Sequence, residues 1–108
     1  MKMSKYIVIH PMKKRSLEGI LKLPSEKNVV FKNLKSICTS DADWVRSWAV
    51  PEQEKIYCEW NAKDPESIRN VFEKSEGGTA IEIEAIYEMQ IIEGEEFKEK
   101  LLSEAIQP

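Results

Sequence analysis

Arg46 lies between Trp44 and Trp48 in the stretch Asp43-Trp44-Val45-Arg46-Ser47-Trp48. A guanidinium among aromatic rings can grip a carboxylate through two parallel hydrogen bonds while the rings shield the contact from water. Glu59 and Tyr57, in the run Lys55-Ile56-Tyr57-Cys58-Glu59-Trp60, are the nearest candidates to share such a site. His10, the sole histidine, could move a proton near neutral pH or ligate a metal. Glu82 and Glu84 could do acid–base work if burial raised one of them. Alternating glutamates on an outer strand are more simply solvent-facing. Cys38 and Cys58 lack CxxC spacing, so neither a zinc site nor a redox pair is indicated. No phosphate loop, metal-hydrolase motif or Ser-His-Asp series is present.

Those side chains need a scaffold. KYIVIH (5–10) is a β-branched run stopped by Pro11 and predicts a strand. Residues 16–23 could form a turn or two of helix, though Gly19 and Pro24 disfavour a long one. From Ser25, a suitable N-cap, Val30, Leu34, Ile37 and Cys38 recur at helical spacing. Two strands joined by PEQE follow. Asp64-Pro65-Glu66 then opens a helix with a capping acid, a first-turn proline and a charge suited to the macrodipole. Ile68, Val71 and Phe72 form its buried stripe, and Gly77-Gly78 ends it. Residues 79–90 alternate as a last strand, and 94–108 suggest a short charged helix with Phe97, Leu101 and Leu102. The expected fold is therefore α+β: a ferredoxin-like βαββαβ sandwich over residues 1–108, helices on one face, with an extra C-terminal helix.

Register decides which side chains share a face. Pairing Val50 with Lys55 sets Trp48 against Tyr57, Arg46 against Glu59 and Trp44 against Asn61. Ala49, Ser47 and Val45 then meet Ile56, Cys58 and Trp60 under the helices, which argues against Cys58 as a nucleophile. Slipping by one residue mixes charge into both faces, and burying unpaired ions costs several kcal/mol. On the flanking strands, Ile7, Ile9, Ile81, Ile83, Ala85 and Tyr87 suit the core. Tyr6, Val8, His10, Glu82 and Glu84 then join the helix-free face. Such a mixture of aromatics and ions suits a surface half covered by a second copy of the chain, with a polar pocket between two sheets. Arg46 would hold a ligand there or simply pair with Glu59. Trp44 and Trp48 would stack on a ligand or form the dimer contact, the latter being the simpler use.

The hairpin Asp43–Trp48 with Lys55-Ile56-Tyr57-Cys58, then Ala62 and Asp64-Pro65-Glu66-Ser67-Ile68-Arg69, resembles a family of small bacterial and archaeal proteins of unknown function. Their pattern is W-x-R-S-[YW], a few turn residues, K-x-Y-C and then an A-P-[SD]-x-E-x-I-R helix start. The resemblance implies a ferredoxin-like, dimeric α+β barrel and, in some members, nickel binding. It covers the middle third closely and the flanks in element order. It makes His10 the implied metal ligand and a divalent metal such as nickel the implied cofactor. The relatives' later histidines have no counterpart; the second predicted helix reads Asn70-Val71-Phe72-Glu73-Lys74 there.

A net charge of −3 lacks the clustered cations that nucleic acid requires, and Lys13-Lys14-Arg15 is too short a run to supply them. No segment approaches the ~20 apolar residues of a membrane span. The N-terminal apolar run is cut by His10 and Pro11 and so does not resemble a secretory signal, leaving the cytoplasm as the expected compartment. The expected protein is a homodimer binding a small molecule or metal, with His10, Arg46, Trp48, Tyr57 and Glu59 at the pocket. The alternatives are a cofactor-independent enzyme of the same barrel type, or an interaction module.

Overall fold

The computed structural model describes residues 2–74 and 81–98. Strand β1 (Ser4–Pro11) leads into helices α1 (Lys14–Leu21) and α2 (Val29–Ser36), hairpin strands β2 (Ala42–Val50) and β3 (Lys55–Ala62), helix α3 (Pro65–Lys74) and strand β4 (Ala85–Met89). The four strands form one sheet in the order β2-β3-β1-β4, with every neighbouring pair antiparallel. This α+β layout is consistent with the ferredoxin-like class inferred from the sequence. The expected C-terminal helix and the Gly77-Gly78 stop lie largely or wholly outside the described residues.

Each helix start has a polar group to meet its unpaired N–H groups. Asp64 caps α3 as expected: its Oδ1 accepts from the Ser67 N–H at 2.8 Å and from the Ser67 hydroxyl at 2.7 Å. These donors hold the Asp64 carboxyl below its usual range. Asn28, rather than Ser25, caps α2, its Oδ1 accepting from the Phe31 N–H. Ser25–Lys27 form a short 3-10 turn instead. The start of α1 is capped from a distance. Glu54, the left-handed residue that closes the hairpin turn (φ 54°), accepts from the Lys14 N–H at 2.8 Å through its carboxylate. That bond ties α1 to the β2–β3 turn.

One core lies between the helices and one sheet face. Leu17, Leu34, Ile68, Val71 and Phe72 meet Tyr6, Val8, Ile56, Cys58, Trp60 and Ala62 there. Trp60 is fully buried, with its ring centroid 5.3 Å from that of Phe72.

Three expectations about facing are corrected. On β1, Tyr6, Val8 and His10 lie under the helices, and their neighbours Ile7 and Ile9 face the other way. β1 is a central strand, so both faces are apolar and alternation alone cannot assign them. On β2, pairing from Val50↔Lys55 to Arg46↔Glu59 is as expected, but a bulge at Val45 moves Trp44 opposite Trp60. An extra residue reverses the alternation beyond it. Trp44 therefore stacks on Phe31 of α2 (5.3 Å between centroids, 17° between planes) and donates to the Ser47 Oγ at 2.9 Å. Ile81 and Ile83, which precede β4, pack on the core as expected, but in β4 itself Ile86 packs on the core and Tyr87 is exposed, the reverse of the expected phase.

Gly19 lies on the exposed side of α1, and a Cβ there would meet nothing within 4 Å. Gly19→Ala should therefore stabilise the protein by about 0.5–1 kcal/mol, because it removes unfolded-chain freedom at no steric cost. Urea unfolding checks this. A loss of stability would show that α1 is not helical at this position.

Candidate functional site

The helix-free face is organised around a buried acid. Glu59 projects from central strand β3 to this side, yet its side chain is only 2% exposed. Lys5 Nζ contacts one carboxylate oxygen at 2.6 Å, and Arg46 Nε contacts the other at 3.0 Å. Two cations on one acid leave a local charge of +1. Arg46 engages through Nε, and its side chain is 63% exposed, so its outer amino edge faces solvent. Trp48, also largely exposed, pairs across the hairpin with Tyr57. The Tyr57 hydroxyl donates to the Gln53 Oε1. Half-buried Ile7 and Ile9 lie opposite Glu59 and Tyr57 in the β1–β3 register. The result is an aliphatic and aromatic surface around an ion trio of net charge +1, able to receive an anionic group beside a flat ring.

Arg46, Trp48, Tyr57 and Glu59 therefore come together as the sequence suggests. Trp44 does not join them, and neither does His10. Lys5, Ile7 and Ile9 were missing from the expected face. The signal for them was the two-residue spacing that runs Lys5-Ile7-Ile9, one step out of phase with the assignment that put His10 outward.

His10 is buried on the opposite side of the sheet, its ring centroid 5.0 Å from that of Phe72. Its Nδ1 lies 2.9 Å from the Glu82 carbonyl oxygen. A carbonyl only accepts, so Nδ1 carries the proton and Nε2 keeps a lone pair; that Nε2 is buried with no hydrogen-bond partner. Burial pushes the imidazole pKa down, partly opposed by the carbonyl bond.

The acids and thiols are used structurally. Glu84 pairs with Lys55 at 2.9 Å, and Glu82 contributes its backbone carbonyl to His10. The Cys58 thiol accepts from the Ser47 hydroxyl at 3.0 Å, and burial pushes it up to about 11. At neutral pH it stays protonated, which fits a packing role.

A protonated Nδ1 held by a carbonyl, with a free lone pair on Nε2, is how metal-ligating histidines are commonly set. A first-row divalent ion needs more than one such donor. Among the described residues, no three His, Cys, Asp or Glu side chains converge on a common point. The donor set around His10 therefore does not fit a nickel ion in this arrangement.

A single antiparallel sheet, helices packed on one side and a cation-centred aromatic surface on the other, defines a small α+β protein of the ferredoxin-like class. Within that class, the chain belongs to the nickel responsive protein SCO4226-like family, whose model matches residues 6–86. That span contains Arg46, Trp48, Tyr57, Glu59 and His10. No curated protein and no solved structure matches the chain. Among the described residues, no helix is long and apolar enough to cross a membrane.

The lowered His10 pKa sets a pH dependence. The unfolded imidazole, at its ordinary value near 6.5, takes up a proton before the folded one does. Stability from this group is complete above that value and falls as pH drops below it toward the folded pKa. Melting temperature between pH 7 and pH 5 should thus fall more steeply for the wild type than for His10→Asn. Parallel profiles would show that His10 is not buried in its neutral form.

Proposed function

We propose that this protein is a homodimer that binds a small organic anion between the helix-free faces of two sheets. Arg46, Trp48, Tyr57 and Glu59 would line that pocket, with Arg46 receiving the anionic group. The observation that carries this reading is the buried Glu59 clamped by Lys5 and Arg46 beside exposed Trp48. The ion trio is only partly shielded, since Glu59 is buried while the Arg46 side chain stays exposed. Its siting among Ile7, Ile9, Trp48 and Tyr57 makes sense once a second copy covers it. Exposed Tyr87 extends the same apolar surface on β4, which pairs Tyr87 with Ile7.

Sedimentation of the wild type should give a dimer, and Trp48→Glu should give a folded monomer at the same concentration. A wild-type monomer would refute the shared pocket. In a thermal-shift screen of small organic anions, Arg46→Ala should lose the stabilisation shown by the wild type. If Arg46→Ala lowers melting temperature with no anion effect in either protein, the face serves association alone.

A second reading is nickel response, favoured by the family's description. On this chain we place any nickel contact away from His10, which sits beneath the helices without a second imidazole. Calorimetry with nickel on tag-free protein should give equal heats for wild type and His10→Ala. Tight binding lost in His10→Ala would reverse that assignment and require the helices to open.

A further inference from the structure

The side of the sheet away from Arg46 holds a second concavity. Where α1 and α2 cross β2, the sheet presents small residues: Ser47 and Ala49 on β2 lie beside Ile56 of β3. The two short helices above each bury only one side chain completely, Leu17 and Leu34. Small residues beneath short helices leave a cavity of about 500 Å³. That volume lies within the roughly 300–1,000 Å³ typical of small-ligand sites.

Its walls are apolar. Leu17 and Ile20 of α1 face Phe31 of α2, and the stacked Phe31–Trp44 pair forms a flat wall. Leu21 and Leu23 stand at the opening with 59% and 47% of their surface exposed. Leucines left in water at the mouth of an apolar hole are surface that an occupant would cover.

The rim is cationic. Lys32 and Lys35 reach it, together with Asn28, which is nearly buried. Lys35 is already engaged, with Asp43 at 2.8 Å and the Trp44 carbonyl at 2.8 Å. Lys32 makes only a long contact, 3.4 Å, to the Glu26 carbonyl, so its ammonium is available. Asn28 uses its Oδ1 to cap α2, which leaves its amide N–H groups as donors. Residues 22–35 contain Lys22, Lys27, Lys32 and Lys35 against the single acid Glu26, a positive segment in a chain of net charge −3. An apolar chamber with a lysine and an amide at its lip is complementary to an apolar body ending in a negative charge.

We propose that this cavity binds a free amphipathic carboxylate, its aliphatic or aryl body against Phe31, Trp44 and Ala49 and its carboxylate at Lys32 and Asn28. The site is separate from the Arg46 face and does not depend on dimer formation.

The probes are decanoate and its uncharged counterpart decanol, both below micelle-forming concentration, titrated into the full chain by calorimetry and by amide correlation spectroscopy. Decanoate should bind about tenfold more tightly than decanol, as expected for one charge-assisted contact. Shifts should concentrate at Phe31, Ser47 and Ala49 and spare Lys5 and Tyr57. Lys32→Glu, an exposed change that leaves the core untouched, should weaken decanoate by about tenfold or more while leaving decanol unchanged. Ala49→Phe should fill the chamber and abolish both. Arg46→Ala should bind decanoate like the wild type. Equal affinity for acid and alcohol, an unaltered response in Lys32→Glu, or shifts centred on Tyr57 would each overturn the proposal. Binding only to anionic vesicles, with none of monomeric decanoate, would also overturn it.

Discussion

A carboxylate taken out of water must be paired, and Glu59 imposes that requirement on the helix-free half of the molecule. It sits on β3, an inner strand of the sheet, where neighbouring strands and their side chains exclude solvent. Both oxygens therefore need cations, and the sheet order supplies them from its two flanking strands: Lys5 from β1 and Arg46 from β2. Shifting either strand by one residue would turn one partner to the other face and remove a contact from the buried carboxylate. The trio thus helps fix the register of three strands, and the same contact holds Arg46 with its outer edge toward solvent beside Trp48.

The two sides of the sheet carry different chemistry because their small and charged residues are sorted differently. Beneath the helices, Ser47 and Ala49 keep β2 thin, leaving room for the cavity closed on one wall by Phe31 and Trp44. On the open side, Trp48, Tyr57, Ile7 and Ile9 surround the ion trio. The bulge at Val45 makes this division possible. It turns Trp44 to the cavity while leaving Arg46 and Trp48 on the other surface.

Much of the hairpin was legible because charge constrained it. Arg46 and Glu59 had to face each other, and the small residues Ser47 and Ala49 had to lie beneath helices. Asp64 as a cap was equally clear from its position before Pro65. The strand β1 was not legible in the same way. Tyr6, Val8 and His10 alternate with Ile7 and Ile9, and either set can pack in a core, so polarity suggested an outward histidine where the fold buries it. The bulge left no mark in sequence, since Val45 is an ordinary strand residue and its extra place depends on pairing with β3. The cavity was invisible too, because it arises from how two short helices sit over small side chains.

Membership of a nickel responsive family sharpens the significance of His10. Its tautomer is set as a ligand's would be, yet it packs among Phe72 and core aliphatics, and among the described residues no group of three His, Cys, Asp or Glu side chains forms there. In this chain the imidazole is matched to packing and to the carbonyl of Glu82, while the Arg46–Glu59 pair lies on the opposite side of the sheet.

The coupling between Arg46 and Glu59 is the most direct measure of that account. A double-mutant cycle using Arg46→Ala, Glu59→Gln and the combined variant, followed by urea unfolding, isolates it. A clamped, solvent-shielded carboxylate predicts a favourable coupling of about 1 kcal/mol or more. Additivity within about 0.5 kcal/mol would mean that the two groups act independently, and Glu59 would not be the organising charge of this face.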